Sequence, residues 1–199
     1  MMIGIVAGIV MIVGMAGFAF MRQPSFGRLP RGERLERIKR SPQYRDGEFR
    51  NVHPTELMTS GKGRLQTMWE FLFSKPDGLV PDEPVPAIKT DLRGLVRDSE
   101  LMVWFGHSSY LLQLSGKRIL VDPVFCIASP VSFINKPFKG TNIYTPEDMP
   151  DIDYLVITHD HWDHLDYRTV TALKDRVQKV VCPLGVGEHF EYWGFSPER

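Results

Sequence analysis

Hydrophobic and polar positions follow three rhythms along the chain, and each predicts a different kind of element. Residues 1–21 carry no charged side chain. At about 1.5 Å per residue, a helix of that length spans roughly 31 Å, close to the hydrocarbon thickness of a bilayer. The segment predicts a transmembrane helix or uncleaved signal anchor. A cleaved signal peptide is the alternative. It wants a basic leader, and no Lys or Arg precedes Arg22, although Gly17-Phe18-Ala19 offers small residues for cleavage. Residues 41–61 are polar and turn-rich, with Pro42, Gly47, Pro54 and Gly61. Leu65, Met68, Trp69 and Leu72 then recur at i, i+3, i+4 and i+7, which predicts a helix over 64–74. Phe71 and Phe73 lie off that stripe. A helix so apolar suits a membrane surface, or packing on its own domain or on a partner subunit.

Pro76, Pro81, Pro84 and Pro86 make the next stretch a linker, with a domain boundary near 87–99. The expected units are residues 1–21, a basic and Pro-rich extension over 22–99, and a domain over 100–199. In that domain the rhythm shortens. Residues 101–105, 110–114 and 118–121 are short apolar runs separated by turn residues, and read as strands. Residues 123–150 form a long Pro- and Gly-punctuated loop, of the length that usually serves a function. YLVIT at 154–158 reads as a buried strand. Asp166 can cap a helix running to about Val177, a strand follows over 179–182, and a short helix over 186–193. Strand, helix, strand at this spacing predicts an α/β layer architecture.

Composition narrows the function. Apolar residues make up 43% and charged residues 24%, globular values that exclude disorder for the chain as a whole. Lys+Arg and Asp+Glu both count 24, and a net charge of zero argues against a nucleic-acid partner. Cys126 and Cys182 form no CxxC pair, so neither a disulfide scaffold nor a cysteine metal site is expected. The basic residues are unevenly placed: Arg22, Arg28, Arg31, Arg34, Arg37, Lys39 and Arg40 follow the apolar span closely. By the positive-inside rule that flank, and the domain after it, lie in the cytoplasm. The same residues suit anionic headgroups, or act as a topology signal alone. Gly4 and Gly8 form a GxxxG, a spacing that packs two helices and leaves a homodimer open.

The candidate chemistry is concentrated in THDHWDHLDY, residues 158–167, directly after the predicted buried strand. His159, His161, Asp163 and His164 fall within six residues. Imidazole and carboxylate are the ligands that zinc and similar divalent ions use in hydrolytic sites, and this spacing suits two neighbouring metals. With six histidines in the chain, composition alone would produce such a cluster roughly 3 times in 10,000. A strand end before a helix is also where α/β proteins place their sites.

HxHxDH after a buried strand resembles the metallo-β-lactamase fold, a four-layer αβ/βα sandwich. WFGHSSYLLQL at 104–114, ILVDPVF at 119–125 and CPLGVGEHFEYWG at 182–194 are similar to the branch that contains N-acyl-phosphatidylethanolamine-hydrolysing phospholipase D. Upstream, FGRLPRGERLERI and SPQYRDGEF resemble the extension of bacterial members, so the likeness runs over about 26–199. It implies an α/β chain forming the N-terminal half of that sandwich, preceded by a transmembrane helix. It implies zinc, two ions per complete site: His159 and His161 on the first, Asp163 and His164 on the second, with Asp163 catalytic as well. Asp122 matches an Asp-Pro that buttresses the metal loop, or simply starts a turn before Pro123. His107 matches a GHxS turn beside the site, or is structural there. His189 and His53 match no ligand position.

The implied activity is a zinc-dependent phosphodiesterase of the phospholipase D type, acting on a membrane lipid resembling N-acyl-phosphatidylethanolamine. A lactonase or phosphodiesterase for small soluble substrates, or a membrane-bound fragment without catalysis, are the alternatives. Family members carry three further ligands downstream, whereas 35 residues follow His164. The chain is therefore expected to be truncated, and inactive by itself.

Overall fold

A computed structural model describes residues 2–56, 59, 61–74, 76–131 and 135–199. Met1 of the expected span, residues 57, 58 and 60 of the polar stretch and residues 132–134 of the expected loop lie outside the described residues. Helix α1, Met2–Met21, is long and apolar enough over Gly4–Met21 to cross a membrane, a property that a signal sequence shares. A short 3-10 turn at Pro24–Phe26 leads into α2, Gly32–Lys39. A two-stranded hairpin follows, β1 at Tyr44–Arg45 and β2 at Glu48–Phe49. Helix α3, Arg64–Phe73, forms where the apolar spacing places it, and none of its described side chains is buried.

The α/β unit is a five-stranded sheet in sequence order: β3 Leu101–Gly106, β4 Ser109–Leu114, β5 Lys117–Val121, β6 Ile152–Val156 and β7 Val177–Val181. Pairing is antiparallel through β5, then parallel for β5/β6 and β6/β7. Parallel neighbours need a crossover. Residues 122–151 supply the first, and α4 at Tyr167–Leu173 with a 3-10 turn at Lys174–Arg176 supplies the second. Helix α5, Gly187–Tyr192, follows β7.

Strand alternation sets the core. Val103, Leu111, Leu120 and Leu155 share one face across the register, and Val170 and Leu173 of α4 pack in the same cluster with Ile152, Ile157 and Met149. Leu92 is also fully buried there, so the core draws on residues before 100. Two polar side chains on that face are satisfied: Gln113 donates to the carbonyls of Val96 and Ser99, and Arg118 donates to Gln113 and to the Leu95 carbonyl. On the opposite face Met102 and Trp104 are 64% and 66% exposed, and Val181 is 51% exposed.

The boundaries of β6, α4 and β7 differ from the sequence expectation. The fourth strand of the sheet starts at Ile152 because Asp153 is held in place, accepting from the Arg118 amide at 2.8 Å and pairing with Arg97. It ends before Thr158. Helix α4 stops at Leu173, and Val177, although at helical spacing, pairs with Ile152 as the first residue of β7.

Candidate metal centre

Three strand ends bring the candidate residues together. Asp122 follows β5, residues 158–164 follow β6, and His107 and Ser108 form the turn between β3 and β4. A sheet irregularity between Trp104 and Gly106 precedes that turn. His107 and Asp122 both adopt positive φ, at 45° and 41°, a conformation that costs about 1–3 kcal/mol and clusters at functional sites.

Asp122 is fully buried and organises the loop after β6. Its Oδ1 accepts from the Thr158 amide at 2.8 Å, and its Oδ2 accepts from Thr158 Oγ1 at 2.6 Å. The same Oδ2 lies 2.9 Å from His164 Nδ1. A carboxylate only accepts, so Nδ1 carries the proton and Nε2 keeps its lone pair free for a ligand or a second donor. Ser108 Oγ stands 2.9 Å from the same Nδ1. Ser109 Oγ donates to the Asp122 carbonyl at 2.5 Å and accepts from the Val124 amide at 3.2 Å, which fixes the backbone under the carboxylate.

On the open side of His164, the ligand atoms of His107, Asp163 and His164 all lie within 4.8 Å of one another. His107 Nε2 is 3.2 Å from His164 Nε2 and 3.3 Å from Asp163 Oδ2. A tetrahedral ion with bonds of about 2.0–2.1 Å separates its ligand atoms by about 3.3–3.4 Å. The donor set and its spacing therefore fit a small divalent cation, and two Nε2 atoms at this distance also fit a shared proton. His159 and His161 complete the ring of imidazoles. The His159 centroid is 3.8 Å from that of His164 and 4.6 Å from that of His161. Burial, then the neighbouring His164 and His161, push the His159 imidazole below the usual histidine range. The neutral form that results is the one that binds metals.

Asp166 ties the loop after β5 to α4. It caps the helix by accepting from the Arg168 amide at 3.1 Å, and its other oxygen accepts from the amides of Cys126 and Ile127. His189 lies outside the cluster, with Nε2 3.7 Å from Asp160 Oδ2. Hydrogen bonding to His189 is the largest influence holding the Asp160 carboxyl below its usual range. His53 is remote in the extension, where its carbonyl accepts from Thr55.

His107, expected in a turn beside the site, lies next to Asp163 and His164, where its imidazole could serve as a third donor. Sequence reasoning missed Ser108 and Thr158, whose hydroxyls orient His164 and Asp122. The only signal for them is their adjacency to His107 and His159.

Residues 117–199 match the model of the β-lactamase superfamily domain. An uncharacterized protein of Mycobacterium tuberculosis is 34% identical over 167 residues, 81% of this chain and 44% of its own length. N-acyl-phosphatidylethanolamine-hydrolyzing phospholipase D 1 of Caenorhabditis elegans is 35% identical over 103 residues, covering 48% of this chain and 28% of that protein. A UPF0173 metal-dependent hydrolase of Aeropyrum pernix is 33% identical over 87 residues, 44% of this chain and 31% of its own. The chain thus spans less than half the length of each of these relatives. The α/β unit whose strand ends gather His107, Asp122 and residues 158–164 resembles the metallo-β-lactamase fold, with its residues 117–199 similar to the β-lactamase superfamily domain.

Proposed function

We propose that the protein is a zinc-dependent hydrolase, a phosphodiesterase of the phospholipase D type acting on N-acyl-phosphatidylethanolamine-like lipids. The observation that carries this reading is the convergence of His107, Asp163 and His164, whose ligand atoms lie within 4.8 Å of one another, with His159 and His161 alongside. His159, His161, Asp163 and His164 hold the metals, and His107 joins the second pair. When bound, the ions supply Lewis-acid stabilisation of a phosphoryl oxygen and lower the pKa of water. Asp122 fixes the tautomer and direction of His164. Asp163, with 35% of its side chain exposed, is the carboxylate that would take a proton from water as it adds to phosphorus. The phosphorus–oxygen bond to the N-acylethanolamine then breaks, the departing oxygen takes up that proton, and phosphatidic acid is left.

The likeness to the nematode phospholipase supports the lipid substrate. The apolar helix α1 supports attachment to a membrane, and the basic flank that follows supports a cytoplasmic site. The test is hydrolysis by the zinc-loaded protein of N-acyl-phosphatidylethanolamine in vesicles beside a soluble acyl lactone. Release of N-acylethanolamine that His161→Ala abolishes supports the reading. Lactone turnover with an intact lipid refutes it.

A further inference from the structure

The residues between the apolar helix and α2 do not hang free from the domain. They reach the metal-ligand loop along two routes. In the first, Phe20 in the last turn of α1 meets Phe26 edge-on with centroids 5.2 Å apart, and Phe26 meets Trp162 edge-on at 5.3 Å. Trp162 stands between His161 and Asp163. In the second, the Arg28 amide donates to His189 Nδ1 at 2.9 Å, and the other ring nitrogen of His189 faces Asp160. Gly27 permits that approach. Its φ is 67°, and a Cβ there would come within 2.0 Å of His189 Nδ1. Trp193 Nε1 donates to the Pro24 carbonyl at 2.8 Å. Glu188 of α5, with 5% of its side chain exposed, takes the Arg28 guanidinium at 2.6 Å and lies 3.6 Å from that of Arg34, which also pairs with Glu191. Arginines that the sequence offered to lipid headgroups are thus engaged with the domain.

We infer that this clasp is a positioning device: Phe26, Gly27 and His189 fix the metal-ligand loop at the level of the lipid headgroups, so that the site takes an amphiphilic substrate directly from the bilayer that holds α1. The inference rests on the membrane and lipid reading above. The Trp162 ring lies within two aromatic contacts of the final turn of the span, and the polar layer outside the hydrocarbon is about 5–8 Å deep on each side. Tryptophan is also the side chain that favours this layer.

The experiment uses the full-length, zinc-loaded protein in phosphatidylcholine vesicles brominated near the headgroup end of the acyl chain. The Trp162 signal is the fluorescence difference between the parent and Trp162→Phe. Bromolipid should quench that signal in the parent and lose its effect in Phe26→Ala and in Gly27→Ala, with α1 still inserted. Turnover of vesicle-embedded N-acyl-phosphatidylethanolamine should fall in both variants, because the site no longer sits at the headgroup layer while its own geometry is kept. Turnover of soluble bis-p-nitrophenyl phosphate should be unchanged. An unquenched Trp162 in the parent overturns the inference, as do variants that lose both substrates equally or neither. A quenched Trp162 in a protein that cleaves no phosphodiester leaves the positioning intact and refutes the lipid hydrolase.

Discussion

Replacing Asp122 with Asn changes one oxygen for a nitrogen in the fully buried group behind His164, and the consequence follows from donor and acceptor counting. Asn tolerates positive φ and keeps the volume, so the backbone at 41° is not strained further. The carboxylate accepts at 2.8, 2.6 and 2.9 Å from the Thr158 amide, the Thr158 hydroxyl and His164 Nδ1. An amide keeps one acceptor oxygen, and the Thr158 amide retains it. The new NH2 then meets the Nδ1–H of His164 donor to donor, which favours the tautomer in which Nδ1 accepts, with Ser108 Oγ, 2.9 Å away, able to donate to it as well. The proton moves to Nε2, the nitrogen 3.2 Å from His107 Nε2, and blocks the lone pair aimed at the cation. Loss of such a supporting partner typically costs 10–100-fold in metal affinity, or about 1.4–2.8 kcal/mol. Zinc affinity measured by chelator competition should fall by that factor in Asp122→Asn. Asp122→Ala should in addition unfold at lower temperature in chelator, because it empties a fully buried position and leaves the part-buried Thr158 amide without its acceptor. Unchanged zinc affinity in Asp122→Asn would refute the tautomer argument. So would a loss that merely tracks the thermal stability of the apoprotein.

Other outcomes follow from the same structure. Leu155→Ala, in a fully buried position of β6, should lower stability by about 2–5 kcal/mol in denaturant unfolding, whereas Met102→Ala on the exposed face should be near neutral. Glu188→Ala should cost about 2 kcal/mol, or about 4–8 °C in Tm, a figure discounted because Arg28 is 33% exposed; an unshifted Tm would contradict the clasp. Because the folded His159 binds its proton less readily than the unfolded chain does, apoprotein stability should decline as pH falls below about 6.5 toward the lower folded value. His159→Asn should flatten that decline, and an unaltered pH profile would count against the lowered value. A reporter fused after residue 100 should be active only in its cytoplasmic form, and periplasmic or luminal activity would reverse the topology.

The metal loop was legible because four of its candidate ligands are neighbours in sequence and need no tertiary contact to be recognised. The partners of those ligands were less so. His107 and His164 are 57 residues apart, and they meet only because the β3–β4 turn and the end of β6 reach the same end of the sheet. Local spacing carries no trace of that register. The end of β6 was misplaced for a related reason: Thr158 continues an apolar run, but Asp122, 36 residues earlier, takes its amide hydrogen. The overrun of α4 reflects an ambiguity of valine, which fits a helical stripe and a strand alike until Ile152 pairs with it. The clasp was invisible because Arg28 and Glu188 lie 160 residues apart, and a run of arginines after an apolar span reads first as a topology signal.

Zinc-edge anomalous diffraction reads directly whether zinc sits at the strand ends on His107, Asp163 and His164, with His159 and His161 beside it. Crystals of the zinc-loaded protein should show an anomalous peak about 2.0–2.2 Å from Nε2 of His164, Nε2 of His107 and Oδ2 of Asp163, and a second peak on His159 and His161. Zinc absent from this position, with the His107 and His164 rings joined by a hydrogen bond instead, would contradict the account.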